Sequence, residues 1–497
     1  MRLVSLVLFS IVTGNGNTTN NNGEKLPTME LGHLDPKGDY IDEINNGNKI
    51  DEELFQGDIY LNEMQTKIII SELEQELARP NTNGTNGHGI RENGVRLWNN
   101  FTVNYIFNTS LNEKAKRAFR KGADMWAKDT CIKFQHYVQL QDIDDVEILK
   151  KHGKDLLIVE AMGGCWSSLG KTGGLQQISL AEACETSSIA AHEIGHTLGF
   201  YHSISRHDRD KYLIIDFENI QEKWDFREYE WQTSEEIDSQ KLGYDYGSIM
   251  HNRKSYAAID PRQPTLMPID KDYGETLGSP FVSFIDGLML NKLYGCDKLC
   301  ERKQKRDGKY RNGKIRNKIC QNGGYLHPLS CSKCVCPEGY AGKLCSERPK
   351  GSPKKCGNTY DASTEWKSLT DSLGDYEEHE IFTKCYYWIQ SPKNTEIEVE
   401  LVSFSGPIAL EGCPYAGIEI KTNENQQLTG YRFCSPKAAG IRLRSNTNRV
   451  PIIRWNKVNV SEALLRYRHV SKDEARPTTE RHPKITQAPP TITVSHV

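Results

Sequence analysis

The spacing of apolar and polar positions changes several times along this chain, and each change predicts a different element. Leu3 to Val12 is an unbroken apolar run behind Arg2. From Asn15 to Arg91 the residues are mostly Asn, Gly and charged, so most of this stretch cannot bury a core. Within it, Leu61 to Leu77 spaces apolar residues between Glu and Gln, which predicts a helix ended by Pro80. From Leu97 the pattern tightens. Phe101 to Phe107 alternates as a strand does, and Leu111 to Lys128 sets Ala118, Phe119, Ala123 and Trp126 at helical spacing. Cys131-Ile132-Lys133-Phe134 and Leu156 to Val159 predict further strands. A helix follows from about Ser187, behind Glu185-Thr186-Ser187-Ser188, whose hydroxyls suit an N-cap. Such a mixture of strands and helices predicts an α/β domain.

Beyond residue 299 the pattern changes again. Six cysteines crowd Cys300 to Cys345. Then come short alternating stretches, Tyr386 to Ile389, Ile397 to Leu401, Ile418 to Ile420 and Ile441 to Leu443, separated by Gly, Pro and Asn. These predict an all-β sandwich. Residues 470–497, rich in Pro and Thr, read as a disordered tail suited to O-glycosylation.

Composition narrows the function classes. A chain of 497 residues exceeds one hydrophobic core, so three or four domains are expected. The formal charge of −3 gives no basic field that would point to nucleic acid. Fourteen cysteines, an even number, suit an oxidising compartment and seven disulfides. The Leu3 to Val12 run is too short for a bilayer, which needs ~20 apolar residues. With Gly14 and Gly16 as small-residue cleavage positions it reads as a secretory signal peptide, residues 1–16. No later stretch is long and apolar enough to anchor the chain, so a secreted, extracellular protein without a membrane span is expected. The N-x-S/T triplets at Asn17, Asn83, Asn100, Asn108 and Asn459 are consistent with glycosylation there.

The chemistry concentrates in His192-Glu193-Ile194-Gly195-His196-Thr197-Leu198-Gly199-Phe200-Tyr201-His202. Two histidines four apart share one helix face, so His192 and His196 can grip one ion. Imidazole nitrogen suits zinc, and a catalytic zinc takes three protein ligands and keeps one position open. Gly199 allows the sharp turn that ends the helix and returns His202 as third ligand. Glu193 lies beside the first ligand, placed to take a proton from a water whose pKa the metal lowers to about 7. Histidines that merely fill a helix core are the competing reading, but they have no need of Gly199 and His202 in register.

The eleven residues resemble the zinc signature of the metzincin peptidases. Tyr244 to His251, with Met250 as the Met-turn, and Arg206-His207-Asp208-Arg209-Asp210 narrow the resemblance to the astacin family. The family implies a mixed α/β metzincin domain over residues 92–299, one Zn2+ per subunit, and a propeptide over residues 17–91. Phe55-Gln56-Gly57-Asp58 resembles the family's zymogen switch, in which the aspartate, here Asp58, fills the open zinc position. A plain Gly-Asp turn is the rival reading. Trp98 resembles the tryptophan near the mature start, which places maturation near Arg91. Cys131–Cys296 and Cys165–Cys184 fit the family's bridges.

Two positions depart from the family. Ser203 stands where a glutamate usually meets the mature N-terminus. Asn252 stands where a tyrosine usually supports the oxyanion; losing one such donor costs about 10²–10³ in rate. Residues 300–346 resemble an EGF-like module, implying Cys300–Cys331, Cys320–Cys334 and Cys336–Cys345; a zinc knuckle is the rival. Residues 356–469 resemble a CUB domain, with Cys356–Cys385 and Cys413–Cys434. Basic residues from Arg302 to Lys318 read either as a solvated loop or as a site for anionic matrix polysaccharide. The whole implies a secreted, latent zinc endopeptidase with Glu193 as general base, acting on extracellular matrix, cuticle or egg-envelope proteins. A catalytically weakened or inactive matrix-binding protein, suggested by Asn252 and Ser203, is the alternative.

Overall fold

The computed structural model describes residues 40–77, 95–137, 155–221, 242–306, 310–311, 314–315, 320–406 and 408–474. The expected signal peptide, Asn17, Asn83, the cleavage region near Arg91 and the tail from residue 475 lie outside the described residues.

Helix α1 (Ile41–Asn48), strand β1 (Ile59–Tyr60) and helix α2 (Glu63–Leu77) form the N-terminal segment. After it come β2 (Thr102–Phe107), α3 (Glu113–Ala127), β3 (Lys133–His136), β4 (Leu156–Glu160), β5 (Cys165–Ser168), β6 (Leu175–Leu180) and α4 (Ser187–Thr197). The strands make one six-stranded sheet in the order β1-β5-β6-β4-β2-β3. Only the β5–β6 pair is antiparallel. The expected strand at Phe101 begins one residue later, because Asn100 and Phe101 take φ of 53° and 58° and turn the chain first. The strand expected from Cys131 begins at Lys133, since Cys131 is bonded to Cys296 and the Ile132 N–H donates to Thr130 Oγ1 at 3.2 Å.

Helix α3 starts where Asn112 Oδ1 accepts from the Ala115 N–H at 2.9 Å. Its apolar face, Ala118, Phe119, Ala123 and Trp126, is buried against α4. The two helices approach closely because Gly122 has no side chain: a Cβ there would lie 2.8 Å from the Ala191 nitrogen. Trp126 locks the contact by donating its indole N–H to the Ala191 carbonyl at 2.7 Å.

The polypeptide then runs through β7 (Leu213–Ile215) and β8 (Leu266–Pro268) to helices α5 (Phe284–Leu293) and α6 (Asp297–Arg306). Helix α6 corrects the sequence expectation that the basic stretch from Arg302 is a loop. Cys300 is anchored to Cys331 within this helix, and the helix carries Arg302 and Arg306 before a short hairpin, Tyr310–Arg311 with Lys314–Ile315. Cys320–Cys334 and Cys336–Cys345 staple the next segment.

From Thr359 the fold is almost entirely β. Long strands Lys367–Gln390 and Arg449–Ser471 pair antiparallel, and Thr395–Ser405, Ala416–Ile420, Tyr431–Phe433 and Arg442–Arg444 complete the sheet around its own apolar core. Cys356–Cys385 and Cys413–Cys434 join its parts. This domain packs on residues 245–281. Tyr273 and Tyr431 have ring centroids 4.2 Å apart, the Thr429 N–H donates to Asp245 at 3.0 Å, and Arg432 donates to Ser279 at 2.6 Å. Among the described residues no helix is long and apolar enough to cross a membrane.

Candidate metal centre

Helix α4 begins where Thr186 Oγ1 accepts from the Ile189 N–H at 3.3 Å, one of the hydroxyls the sequence offers as a cap. It ends where Gly199 takes φ of 107°, a conformation that glycine adopts without strain. The Gly199 and Phe200 N–H groups then donate back to the carbonyls of His196 and Gly195. This closing turn sends His202 back beside the helix.

The Nε2 atoms of His192 and His196 are 3.1 Å apart, as are those of His192 and His202. Asp58 Oδ2 lies 3.2 Å from both His192 and His202, and Oδ1 lies 3.3 Å from His196. All four side chains are buried. His192 Nδ1 sits 2.8 Å from the Ile249 carbonyl and His196 Nδ1 sits 2.7 Å from the Phe200 carbonyl. Carbonyls only accept, so these nitrogens carry the protons and each Nε2 presents a lone pair to the common centre. Two such nitrogens, the His202 Nε2 and a carboxylate face one point, a set of donors that a cation between them would satisfy. The donor set fits zinc.

Asp58 arrives on the N-terminal segment. Strand β1 lies parallel to the edge strand β5, pairing Ile59 with Ser167, and the Ser167 N–H donates to the Asp58 carbonyl at 2.9 Å. The segment is held again at Gln56, whose carbonyl accepts from Tyr256 Oη at 3.0 Å. Asn45 braces it from behind, donating to the Gly57 and Cys165 carbonyls and accepting from the Cys165 N–H. Burial alone would raise the Asp58 pKa. With no cation between them, protonated His202 and His196, and hydrogen bonds from His192 and His196, would outweigh it and hold the carboxyl well below its usual range; a bound metal takes over that part.

Glu193 is fully buried, and among the described residues neither carboxylate oxygen has a hydrogen-bond partner. Burial, and then the Asp58 charge, push its pKa well above the ordinary value. Met250 lies beneath α4: a Cβ on Gly195 would come within 3.1 Å of its Cε. Its turn is fixed by Asp286 at the start of α5, which accepts from Ser248 Oγ at 2.6 Å and from the Ile249 and Ser283 N–H groups at 2.9 and 2.8 Å. Sequence reasoning missed Asp286; its signal was the Ser283-x-x-Asp286 capping box. Ser203 donates its N–H to the Met250 carbonyl at 2.8 Å. Asn252 is buried, and its Oδ1 is unpaired among the described residues. Of the glycosylation candidates, Asn100 and Asn459 are exposed, while Asn108 is half-buried and donates to Glu160 at 3.0 Å.

Residues 90–295 match the model of the Astacin peptidase family. Zinc metalloproteinase nas-31 of Caenorhabditis elegans is 32% identical over 447 residues, covering 88% of this chain and 66% of the relative. Zinc metalloproteinase nas-36 of Brugia malayi is 29% identical over 464 residues, covering 89% of this chain and 74% of the relative. The chain thus spans about two thirds of the length of the nas-31 relative. Among solved structures, high choriolytic enzyme 1, a hatching-enzyme zinc protease of Oryzias latipes, is 25% identical, with a TM-score of 0.35, covering 40% of this chain and 94% of that one. Through its residues 90–295, which carry the three converging histidines, the chain belongs to the astacin family of zinc metallopeptidases.

Proposed function

We propose that the protein is a secreted zinc endopeptidase made as a latent precursor. The observation that carries this reading is the buried His192, His196, His202 and Asp58 cluster beside a Glu193 that is unpaired among the described residues. Bound by the three histidines, zinc supplies Lewis-acid polarisation of a scissile carbonyl and of the attacking water. Glu193 takes the proton from that water and passes it to the leaving amine. The backbone carbonyls of Ile249 and Phe200 fix the His192 and His196 rings in their tautomers.

Asp58 accounts for latency. While its carboxylate stands against all three histidines, the position a water needs is taken, and removing residues 17–91 frees it. Residues 300–346 serve as an EGF-like module and residues 356–469 as a CUB module, which hold the peptidase near its substrates. Those substrates are proteins of extracellular matrix, cuticle or egg envelope, by analogy with the family. The basic residues between Arg302 and Lys318 add affinity for anionic polysaccharide; retention on heparin that survives their neutralisation would dispose of that role.

A second reading, a weakened or inactive matrix-binding protein, has one specific observation behind it. Asn252 is buried, with Oδ1 unpaired among the described residues, at the position where a tyrosine donor is usual. The active-enzyme reading is favoured, because a dead site gains nothing from a carboxylate placed to block it. The test is Glu193→Gln in the matured protein. Hydrolysis of a fluorogenic peptide should fall by about 10²–10⁴ while one zinc per chain is retained, the range for losing a general base. Undiminished hydrolysis would sink the proposal.

A further inference from the structure

The long strand Lys367–Gln390 leaves its partner twice. Its register against Arg449–Ser471 shifts between Gly374 and Glu378, and again between Glu378 and Thr383. The ladder therefore skips residues 375–377 and 379–382. Gly374 takes φ of 105° and turns the chain out of the sheet. The bulged sequence is Asp375-Tyr376-Glu377-Glu378-His379-Glu380-Ile381-Phe382.

The two aromatic residues of this bulge behave in opposite ways. Phe382 packs on Phe281, with ring centroids 4.9 Å apart. Tyr376 is 89% exposed, and among the described residues its hydroxyl has no hydrogen-bond partner. The fold makes no use of that ring. Asp375, Glu377, Glu378 and Glu380 surround it in sequence, and all four are exposed. Two of them are engaged. Asp375 accepts from the Glu377 N–H at 3.0 Å and from His379 Nε2 at 2.8 Å. Glu380 lies 3.2 Å from Arg117 and 2.6 Å from Lys121 on helix α3. Glu377 and Glu378 form no ion pair among the described residues. A free phenol therefore stands between two free carboxylates and a third fixed one, on backbone that few ladder bonds hold. Such a segment lifts into another protein's cleft at small cost, and its carboxylates select a cleft of opposite charge.

We propose that Tyr376 is a tyrosine O-sulfation site, with Glu377 and Glu378 as the carboxylates that a sulfotransferase of the secretory lumen recognises. This rests on the secreted reading of the chain. All fourteen cysteines are paired, which suits that oxidising compartment. In the transfer, a bond forms between Tyr376 Oη and the sulfur of a nucleotide phosphosulfate donor. The bond from that sulfur to the nucleotide phosphate breaks, and the phosphate leaves with the electron pair. The phenolic proton passes to a base of the transferase, and nothing is oxidised or reduced. Charge favours sulfate over phosphate at this place. A phosphate ester adds about −1.5 to −2 beside the carboxylates, whereas a sulfate ester adds a single permanent negative charge.

The full chain should be produced in a eukaryotic secretory host, collected from the medium and digested with trypsin. Tyr376 is the one tyrosine of the peptide Ser368–Lys384. Accurate mass should show that peptide gaining one SO₃. Chlorate, which blocks synthesis of the donor, should abolish the gain, and so should Tyr376→Phe, which an exposed ring tolerates. In vitro, Glu377→Gln with Glu378→Gln should slow sulfuryl transfer from a labelled donor to the purified chain at least about tenfold, the lower range for charged hydrogen-bonded contacts. A secreted chain whose Tyr376 stays bare, or carries phosphate, overturns the inference alone. An undiminished transfer rate in the double variant overturns the role of the two glutamates. A chain that never reaches the medium fails the secreted reading and takes the inference with it.

Discussion

A methyl group on Gly195 would overlap the sulfur of Met250 and lie within 3.1 Å of its Cε. The zinc helix and the Met-turn therefore touch closely, and the same methyl would lie 3.2 Å from the Trp126 ring. Gly195→Ala should destabilise the fold by about 1–3 kcal/mol, the usual range for overpacking a tight core. It should also weaken zinc binding, because α4 carries two of the three histidines. Denaturant midpoints and a competitive zinc titration read both effects. Met250→Ala in the same chain should restore part of the loss, since the two residues are coupled by contact.

That relationship shows what the sequence could and could not say. The spacing from His192 to His202 was legible because helical periodicity alone puts two rings on one face, and Gly199 marks the turn. Gly195, in the middle of the same motif, carries no such mark: its need for a bare Cα arises from a methionine fifty-five positions later in the chain. Asp42 and Arg253, which pair at 2.8 Å, are equally opaque, being separated by 211 positions. Nor does a segment poor in apolar residues announce that two of its residues extend a sheet; β1 exists because β5 offers an unpaired edge. Helical faces follow from local periodicity, whereas packing partners follow from topology.

Asp58 contributes both carboxylate oxygens to the histidine cluster, so its removal should release the block without removing the segment. The unprocessed Asp58→Ala chain should hydrolyse a fluorogenic peptide faster than the unprocessed wild type. A gain on the order of tenfold or more corresponds to losing one charge-assisted contact. A mutant precursor as inert as wild type would show that steric cover by Phe55 to Tyr60, rather than the carboxylate, maintains latency.

Asp286 reaches the metal centre indirectly. It accepts from Ser248 Oγ and the Ile249 N–H, and the Ile249 carbonyl in turn orients His192. Asp286→Ala leaves the Ile249 and Ser283 N–H groups buried without acceptors. A loss of about 2–4 kcal/mol follows from one or two unsatisfied donors. The Met-turn should loosen with it, so zinc should dissociate faster from the variant under conditions where both proteins remain folded. Stopped-flow transfer of zinc to a chromophoric chelator measures that rate, and an unchanged rate would separate Asp286 from the metal site.

His251 gives the fold a specific sensitivity to acid. Its Nδ1 lies 2.8 Å from the Asn252 carbonyl and therefore carries a proton, so Nε2 accepts from Tyr244 Oη at 2.8 Å. Burial holds its pKa down at about 4, against 6.5 for a free imidazole. Between those values the unfolded chain binds a proton that the folded chain refuses. The contribution is therefore complete above pH 6.5 and is lost as pH falls toward 4. At 1.36 kcal/mol per pKa unit it amounts to about 3 kcal/mol. His251→Gln can keep both hydrogen bonds in kind, its amide oxygen accepting from Tyr244 and its NH₂ donating to Asn252, without titrating. Urea midpoints at several values across that interval should then show the wild type losing about 3 kcal/mol more than the variant. Protonation of the zinc-site histidines is common to both proteins apart from the charge on His202, which acts on His251 itself. Parallel pH slopes would mean that His251 is already charged in the fold and that Tyr244 is not its donor.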